Sequence, residues 1–154
     1  MTDVEAPYRR NGRLEGACLC GACTLTIDGD HVAAIGVCHC SMCLRWSGGI
    51  LGLFSAAAAG VTVAGPIGLH RTSEFAERAF CSVCGSSLWM RDFVEDGCDY
   101  EFAAGAFPKA KEFPLISEIY TDTAPAFSTL SGDHRRATRA EYEARNRYVE
   151  GDRP

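Results

Sequence analysis

Nine cysteines in a chain of 154 residues are the first feature with chemical meaning. Eight of them fall in three tight clusters: Cys18-Leu19-Cys20-Gly21-Ala22-Cys23, Cys38-His39-Cys40-Ser41-Met42-Cys43 and Cys81-Ser82-Val83-Cys84-Gly85. In an extended segment, residues i and i+2 face the same side. Cys18 with Cys20, and Cys38 with Cys40, can therefore each offer two sulfurs to one ion. In Cys81-Ser82-Val83-Cys84 the chain must fold back within two residues, and Gly85 supplies the permissive backbone such a knuckle needs. Thiolates at these spacings suit zinc, which is soft enough for sulfur and accepts tetrahedral geometry. A closed structural site takes four ligands and a catalytic site keeps one position open. One Cys-x-Cys cluster must therefore pair with Cys81 and Cys84, leaving the other as a three-thiolate site. Spacing alone does not say which cluster plays which part.

The odd cysteine count, with no apolar segment at the N-terminus resembling a signal peptide, argues against a disulfide framework. Dense reduced thiols fit a cytoplasmic protein. The formal net charge of −5 repels phosphate backbones, so nucleic acid is not an expected partner. Residues 46–69 carry no charge and are long enough to span a bilayer, but six glycines and Pro66 make two buried strands and a turn the better reading. No membrane contact is expected.

The elements that must position the cysteines are short strands. Residues 24–27 alternate polar and apolar, and Asp28-Gly29-Asp30 is a turn signal. Further strands are expected at 32–37, 50–54, 61–63, 88–93, 100–104 and 116–120, with another turn at Glu95-Asp96-Gly97. Periodicity does not decide residues 71–80. Many short strands with glycine-rich turns indicate a mainly β domain. A helix is expected from Asp133 as N-cap to about Tyr148, stopped by Gly151, with Arg135, Arg136, Arg139, Arg145 and Arg147 on a solvated face.

The three clusters together resemble the glutathione-dependent formaldehyde-activating enzymes, a family that includes the centromere protein V group. The similarity runs through Gly16-Ala17-Cys18-Leu19-Cys20-Gly21, Cys38-His39-Cys40-Ser41-Met42-Cys43 with Ser47-Gly48, Phe80-Cys81-Ser82-Val83-Cys84-Gly85-Ser86, Ala103-Ala104-Gly105 and Ala124-Pro125-Ala126-Phe127. Ser117-Glu118 stands where the family often has a histidine, and Phe127 falls one residue after the family's tryptophan. The resemblance implies a small tent-like zinc fold of antiparallel sheets with a short C-terminal helix. It covers a zinc domain over residues 14–130, between the polar, loose leader expected over 1–13 and the helix and tail expected over 131–154.

The resemblance also implies two zinc ions: a structural one on Cys18, Cys20, Cys81 and Cys84, and a catalytic one on Cys38, Cys40 and Cys43. The implied activity is that of a carbon–sulfur lyase or synthase joining glutathione, or a similar thiol, to formaldehyde to give the S-hydroxymethyl adduct. Trp46, Gly48, Gly49 and Phe54 flank the open site in sequence and are its candidate substrate contacts. A non-catalytic interaction module and a thiol redox or metal-buffer protein are the alternatives, and a homodimer is compatible with any of the three. Cys23 and Cys98 are left as small buried hydrophobes. His39 should point away from the ion, and His31, His70 and His134 should be ordinary surface or turn residues.

Overall fold

A computed structural model of the chain describes residues 3–93 and 98–149. Eleven strands form one connected mixed sheet: β1 (Arg9–Ala17), β2 (Thr24–Val32), β3 (Ile35–Cys38), β4 (Gly52–Ala56), β5 (Val61–Ala64), β6 (Ile67–Arg71), β7 (Ala76–Cys81), β8 (Ser87–Asp92), β9 (Tyr100–Ala103), β10 (Leu115–Ile119) and β11 (Arg135–Ala137). Two short helices, α1 (Ser41–Ser47) and α2 (Arg139–Glu143), complete the fold with several 3-10 turns. The expectation of a mainly β domain ending in a short helix is met. The main path runs β11-β10-β3-β4-β9-β8-β7-β6, while β2 pairs with β1, β4 and β5. Most pairs are antiparallel, but β10 lies parallel to both β3 and β11, which the resemblance did not imply.

Regular structure starts earlier than residue 14. A 3-10 turn spans Asp3–Tyr8, and β1 pairs with β2 over nine residues from Arg9↔Val32 to Ala17↔Thr24. The polar start of β1 carries no apolar alternation because it is largely exposed, so the backbone ladder and polar pairs hold it. Asn11 donates to Asp30 at 2.6 Å, and Arg13 lies 3.7 Å from Asp28. The expected turn at Asp28-Gly29-Asp30 is therefore the middle of β2, where Gly29 faces Gly12. Residues 71–80, undecided from periodicity, are the end of β6, a turn and β7. The turn expected at residues 95–97 lies outside the described residues.

The central strands are covered on both faces, and alternation sorts their side chains into two cores. Phe54 of β4, Phe102 of β9 and Trp89 of β8 point into the larger core with Leu25, Ile27, Leu88 and Phe107. Leu53, Ala103 and Met90, the next residues along, face the smaller core with Leu51 and Tyr120. Aromatic edges lock the larger core, with Phe54 5.2 Å from Phe107 and Phe102 5.1 Å from Phe107 between ring centroids. Each such buried ring contributes roughly 1.5–3 kcal/mol. Among the described residues no helix is long and apolar enough to cross a membrane.

The C-terminal helix is shorter and later than expected. Residues 135–137 pair with β10 as β11, and the N-cap of α2 is Thr138 rather than Asp133. Thr138 accepts from the Glu141 backbone N–H while the Glu141 carboxylate accepts from the Thr138 backbone N–H, a complete capping box. Gly151, the expected stop, lies outside the described residues.

Candidate metal centres

The first group of cysteines is assembled by two hairpin tips. The β1–β2 register places Cys18 just past one strand and Cys23 just before the other, with the Cys18 N–H donating to the Cys23 carbonyl at 3.1 Å. The β7–β8 hairpin carries Cys81 as the last residue of β7 and Cys84 in its turn, where the Gly85 N–H returns to the Cys81 carbonyl at 2.8 Å and Gly85 takes a left-handed φ of 77°. The sulfurs of Cys18, Cys20, Cys81 and Cys84 then all lie within 4.8 Å of one another. Cys18 and Cys20 are 3.6 Å apart, and Cys20 and Cys81 3.9 Å.

Donors from the same knuckles point at these sulfurs. The Cys23 N–H reaches the Cys18 sulfur at 3.2 Å, the Cys84 N–H reaches that of Cys81 at 3.5 Å, and the Ser86 hydroxyl lies 3.2 Å from that of Cys84. Such donors favour the charged form of sulfur. The Ser86 hydroxyl is the leading cause holding the Cys84 thiol down at about 5, and the Cys23 N–H likewise leads in lowering Cys18. Four sulfurs at this spacing fit a tetrahedral zinc ion.

The second group lies on the smaller core. β3 delivers Cys38, α1 begins at Ser41 with Cys40 as its N-cap, and Cys43 sits on the buried face of that helix. The three sulfurs again lie within 4.8 Å of one another, and the Cys43 N–H donates to the Cys40 sulfur at 3.4 Å. Hydrogen bonds from the Cys38 and Cys43 thiols pull Cys40 down to about 2, and the same contacts push Cys38 up. No histidine or carboxylate joins these three within ligand distance among the described residues. The donor set fits a metal ion with one tetrahedral position left over. A cation stands beside it. Arg78 of β7, only 3 % exposed, brings Nη2 to 3.9 Å from the Cys43 sulfur and its guanidinium carbon to 5.7 Å from the centre of the Trp46 ring.

The candidate substrate contacts separate. Trp46 does pack against the smaller core, and its carbonyl accepts from the Ser87 hydroxyl at 3.4 Å. Gly48 is the left-handed C-cap of α1 with φ 77°, which explains the glycine without a ligand. Gly49 stands against the Phe127 ring. Phe54 is 2 % exposed and lies in the larger core, on the opposite face of β4 from the three cysteines. It is a packing residue, because strand alternation turns it away from that site. A cavity of about 620 Å³ opens elsewhere, lined by Gly16, Cys18, Leu19, Ser86, Ser87 and Ala103 among others. It touches the first group through Cys18. It approaches the second through Ala103, which packs beside the three cysteines, and Ser87, which holds Trp46.

Sequence reasoning passed over an ionic cluster behind the second group. Glu118 of β10, 5 % exposed, accepts from His39 Nε2 at 2.7 Å and from His134 Nε2 at 2.6 Å, and Arg136 Nε lies 3.4 Å away. Burial alone would raise its carboxyl, but hydrogen bonds from His134 and His39 outweigh that and hold it below the usual carboxylate range. His39 thus turns away from the cysteines as expected. His134, expected at the surface, is buried against Glu118, and His31 is buried too, while His70 is exposed. Cys23 is fully buried in the larger core and belongs to neither group of sulfurs, and Cys98 is half-buried.

This arrangement has relatives. A model of the family described as glutathione-dependent formaldehyde-activating enzyme matches residues 13–123. The chain belongs to that family. It is 34 % identical over 112 residues to an uncharacterized lyase of Schizosaccharomyces pombe, covering 72 % of this chain and 80 % of that one. It is 32 % identical over 90 residues to a Halomonas elongata protein described as a candidate glutathione-dependent formaldehyde-activating enzyme, covering 51 % of this chain and 56 % of that one. A crystal structure of a Rhodobacter sphaeroides protein shares the fold at a TM-score of 0.50 and 22 % identity, spanning 66 % of this chain and 99 % of that one. All three cysteine clusters fall inside the part matched by the formaldehyde-activating family, whereas His134, Arg136 and α2 lie beyond it.

Proposed function

We propose that this protein is a zinc-dependent carbon–sulfur lyase or synthase of the formaldehyde-activating type. Cys38, Cys40 and Cys43 form its catalytic centre, and Cys18, Cys20, Cys81 and Cys84 hold a structural ion. The observation that supports it most is the pairing of one complete set of four sulfurs with one set of three. A closed set has no position for substrate, and an open set does. In the reaction, the sulfur of glutathione or a similar thiol attacks the carbonyl carbon of formaldehyde. The C–S bond forms, the π pair of the carbonyl moves to oxygen, and the proton released by the thiol ends on that oxygen. The reverse cleaves the C–S bond.

A bound zinc ion would supply positive charge that keeps the incoming sulfur deprotonated at neutral pH. The chain's own residues do the rest. Cys38, Cys40 and Cys43 would hold that ion with three sulfurs, one fewer than a closed tetrahedral set. Three thiolates and an added substrate thiolate crowd negative charge, and Arg78 beside Cys43 offsets part of it. Its guanidinium also braces the Trp46 ring. The cavity beside Cys18, which comes toward the second group only through Ala103 and Ser87, is of a size that suits a tripeptide thiol. A glutathione partner places the reaction in a reducing compartment such as the cytoplasm.

The test is zinc content per chain for the wild type and for Cys40→Ala, with glutathione titrated into each and adduct formation followed above the uncatalysed rate. Two ions should fall to one in the folded variant, with glutathione binding and rate enhancement lost. One ion in the wild type, or glutathione binding indifferent to the substitution, overturns the reading.

A further inference from the structure

The stretch between two proposed ligands is held by three hydrogen bonds at His39, two to β10 and one to Thr123 just beyond it. His39 stands between Cys38 and Cys40. Its backbone N–H donates to the Ile119 carbonyl at 3.0 Å, and its carbonyl accepts from the Thr123 hydroxyl at 3.1 Å. Its ring, fully buried, donates to Glu118 at 2.7 Å. Glu118 is held in turn by two groups from the far end of the chain, His134 at 2.6 Å and Arg136 at 3.4 Å. A buried carboxylate of this kind is costly unless paired, so the three partners stabilise a single geometry.

The same C-terminal stretch reaches the cysteines a second way. Tyr142 of α2 packs on the core that contains Cys38, Cys40 and Cys43, 5.5 Å from the Tyr120 ring. Glu143 accepts from the Tyr120 hydroxyl at 3.0 Å. Tyr120 holds a φ of 58°, the one left-handed non-glycine residue among the described residues, and such a conformation persists only where surrounding contacts impose it.

We propose that Glu118, braced by His134 and Arg136 from beyond the family-matched part, is a positioning residue. It fixes residues 38–40 so that Cys38 and Cys40 meet one metal ion without rearrangement. This rests on the reading of Cys38, Cys40 and Cys43 as a metal site. It makes residues 134–143 part of that site's support. Partners of ligands commonly shift metal affinity by about tenfold or more.

The experiment loads wild type, Glu118→Ala, Glu118→Gln and His134→Gln with cobalt(II) and with zinc, and follows competition by a chromophoric chelator. The cobalt–thiolate absorption distinguishes a three-sulfur from a four-sulfur site. In Glu118→Ala the weaker of the two ions should be lost roughly tenfold more readily and its visible bands should change, while the four-sulfur ion stays as in wild type. Glu118→Gln, which keeps an acceptor for His39, should recover part of the affinity. His134→Gln should show the same change in smaller measure, and it decides the matter if Glu118→Ala does not fold. Wild-type affinity and spectrum at the three-sulfur site in a folded variant overturn the proposal alone. A wild type that binds one ion overturns it together with the proposed function.

Discussion

Glu101 shows how a single side chain can be tested by pH. It lies on β9 with Ser55 and Met90 as cross-strand partners, two residues from Ala103 and on the same face of the sheet. Burial is the main cause that pushes its carboxyl up to about 7, and the Ser55 hydroxyl, donating at 2.7 Å, opposes that only in part. Glu5, Asp99 and Asp92 add to the rise. Between the ordinary carboxylate value and 7 the folded chain therefore binds more protons than the unfolded one. Its stability falls as pH rises through that window. In Glu101→Gln this loss should vanish: from pH 4.5 to 8 the variant should gain about 2 kcal/mol relative to wild type in denaturant unfolding. A constant difference across that range would mean that Glu101 titrates as a solvated carboxyl. The cysteines could be found from sequence because ligand spacing is local, two or three residues along the chain. Glu118, 79 residues from His39, and Arg78, 35 residues from Cys43, carry no such local mark. Strand pairing alone brings them together.

Elements were legible where one face is buried and obscure where neither is. The alternating run at residues 24–27 appears as part of β2, because a half-buried strand carries a period of two, and the run expected at 100–104 appears as β9 over Tyr100–Ala103. The start of β1 is exposed and polar, so nothing in its pattern announces a strand. At the C-terminus the signal was present but misplaced. Thr138 and Glu141 have the spacing of a capping box, yet Asp133 before an arginine-rich run took the N-cap role in the sequence reading. The consequence is measurable. A helix of five residues has no stability of its own, so α2 depends on its cap and on Tyr142. Thr138→Ala should cost about 1 kcal/mol in unfolding free energy. It should also speed hydrogen exchange at the Tyr142 amide, which donates to the Thr138 carbonyl at 3.0 Å. Unchanged exchange would show that Tyr142 alone seats the helix.

At the scale of the whole molecule, the two groups of sulfurs do different mechanical work. The first joins the tips of hairpins that lie 61 residues apart in the chain between Cys20 and Cys81. The second gathers residues within one short segment, from Cys38 to Cys43, so it closes almost no loop. A metal cross-link over the longer separation removes unfolded-state entropy much as a disulfide would, about 4 kcal/mol for a loop of that length. For a chain of this size each kcal/mol moves Tm by roughly 2–4 °C. Cys84 is only half-buried, so Cys84→Ala removes a sulfur with little loss of packing. It should nevertheless lower Tm by about 10 °C in the presence of zinc. Cys40→Ala should lower it by only a few degrees, although Cys40 is the more buried of the two. A strong chelator should bring wild type down to the level of Cys84→Ala while barely moving that variant further, since its cross-link is already gone. The reverse ranking, with Cys40→Ala collapsing and Cys84→Ala near wild type, would exchange the roles of the two groups. The stabilising ion would then sit among the three cysteines, and the open position would belong to the hairpin tips.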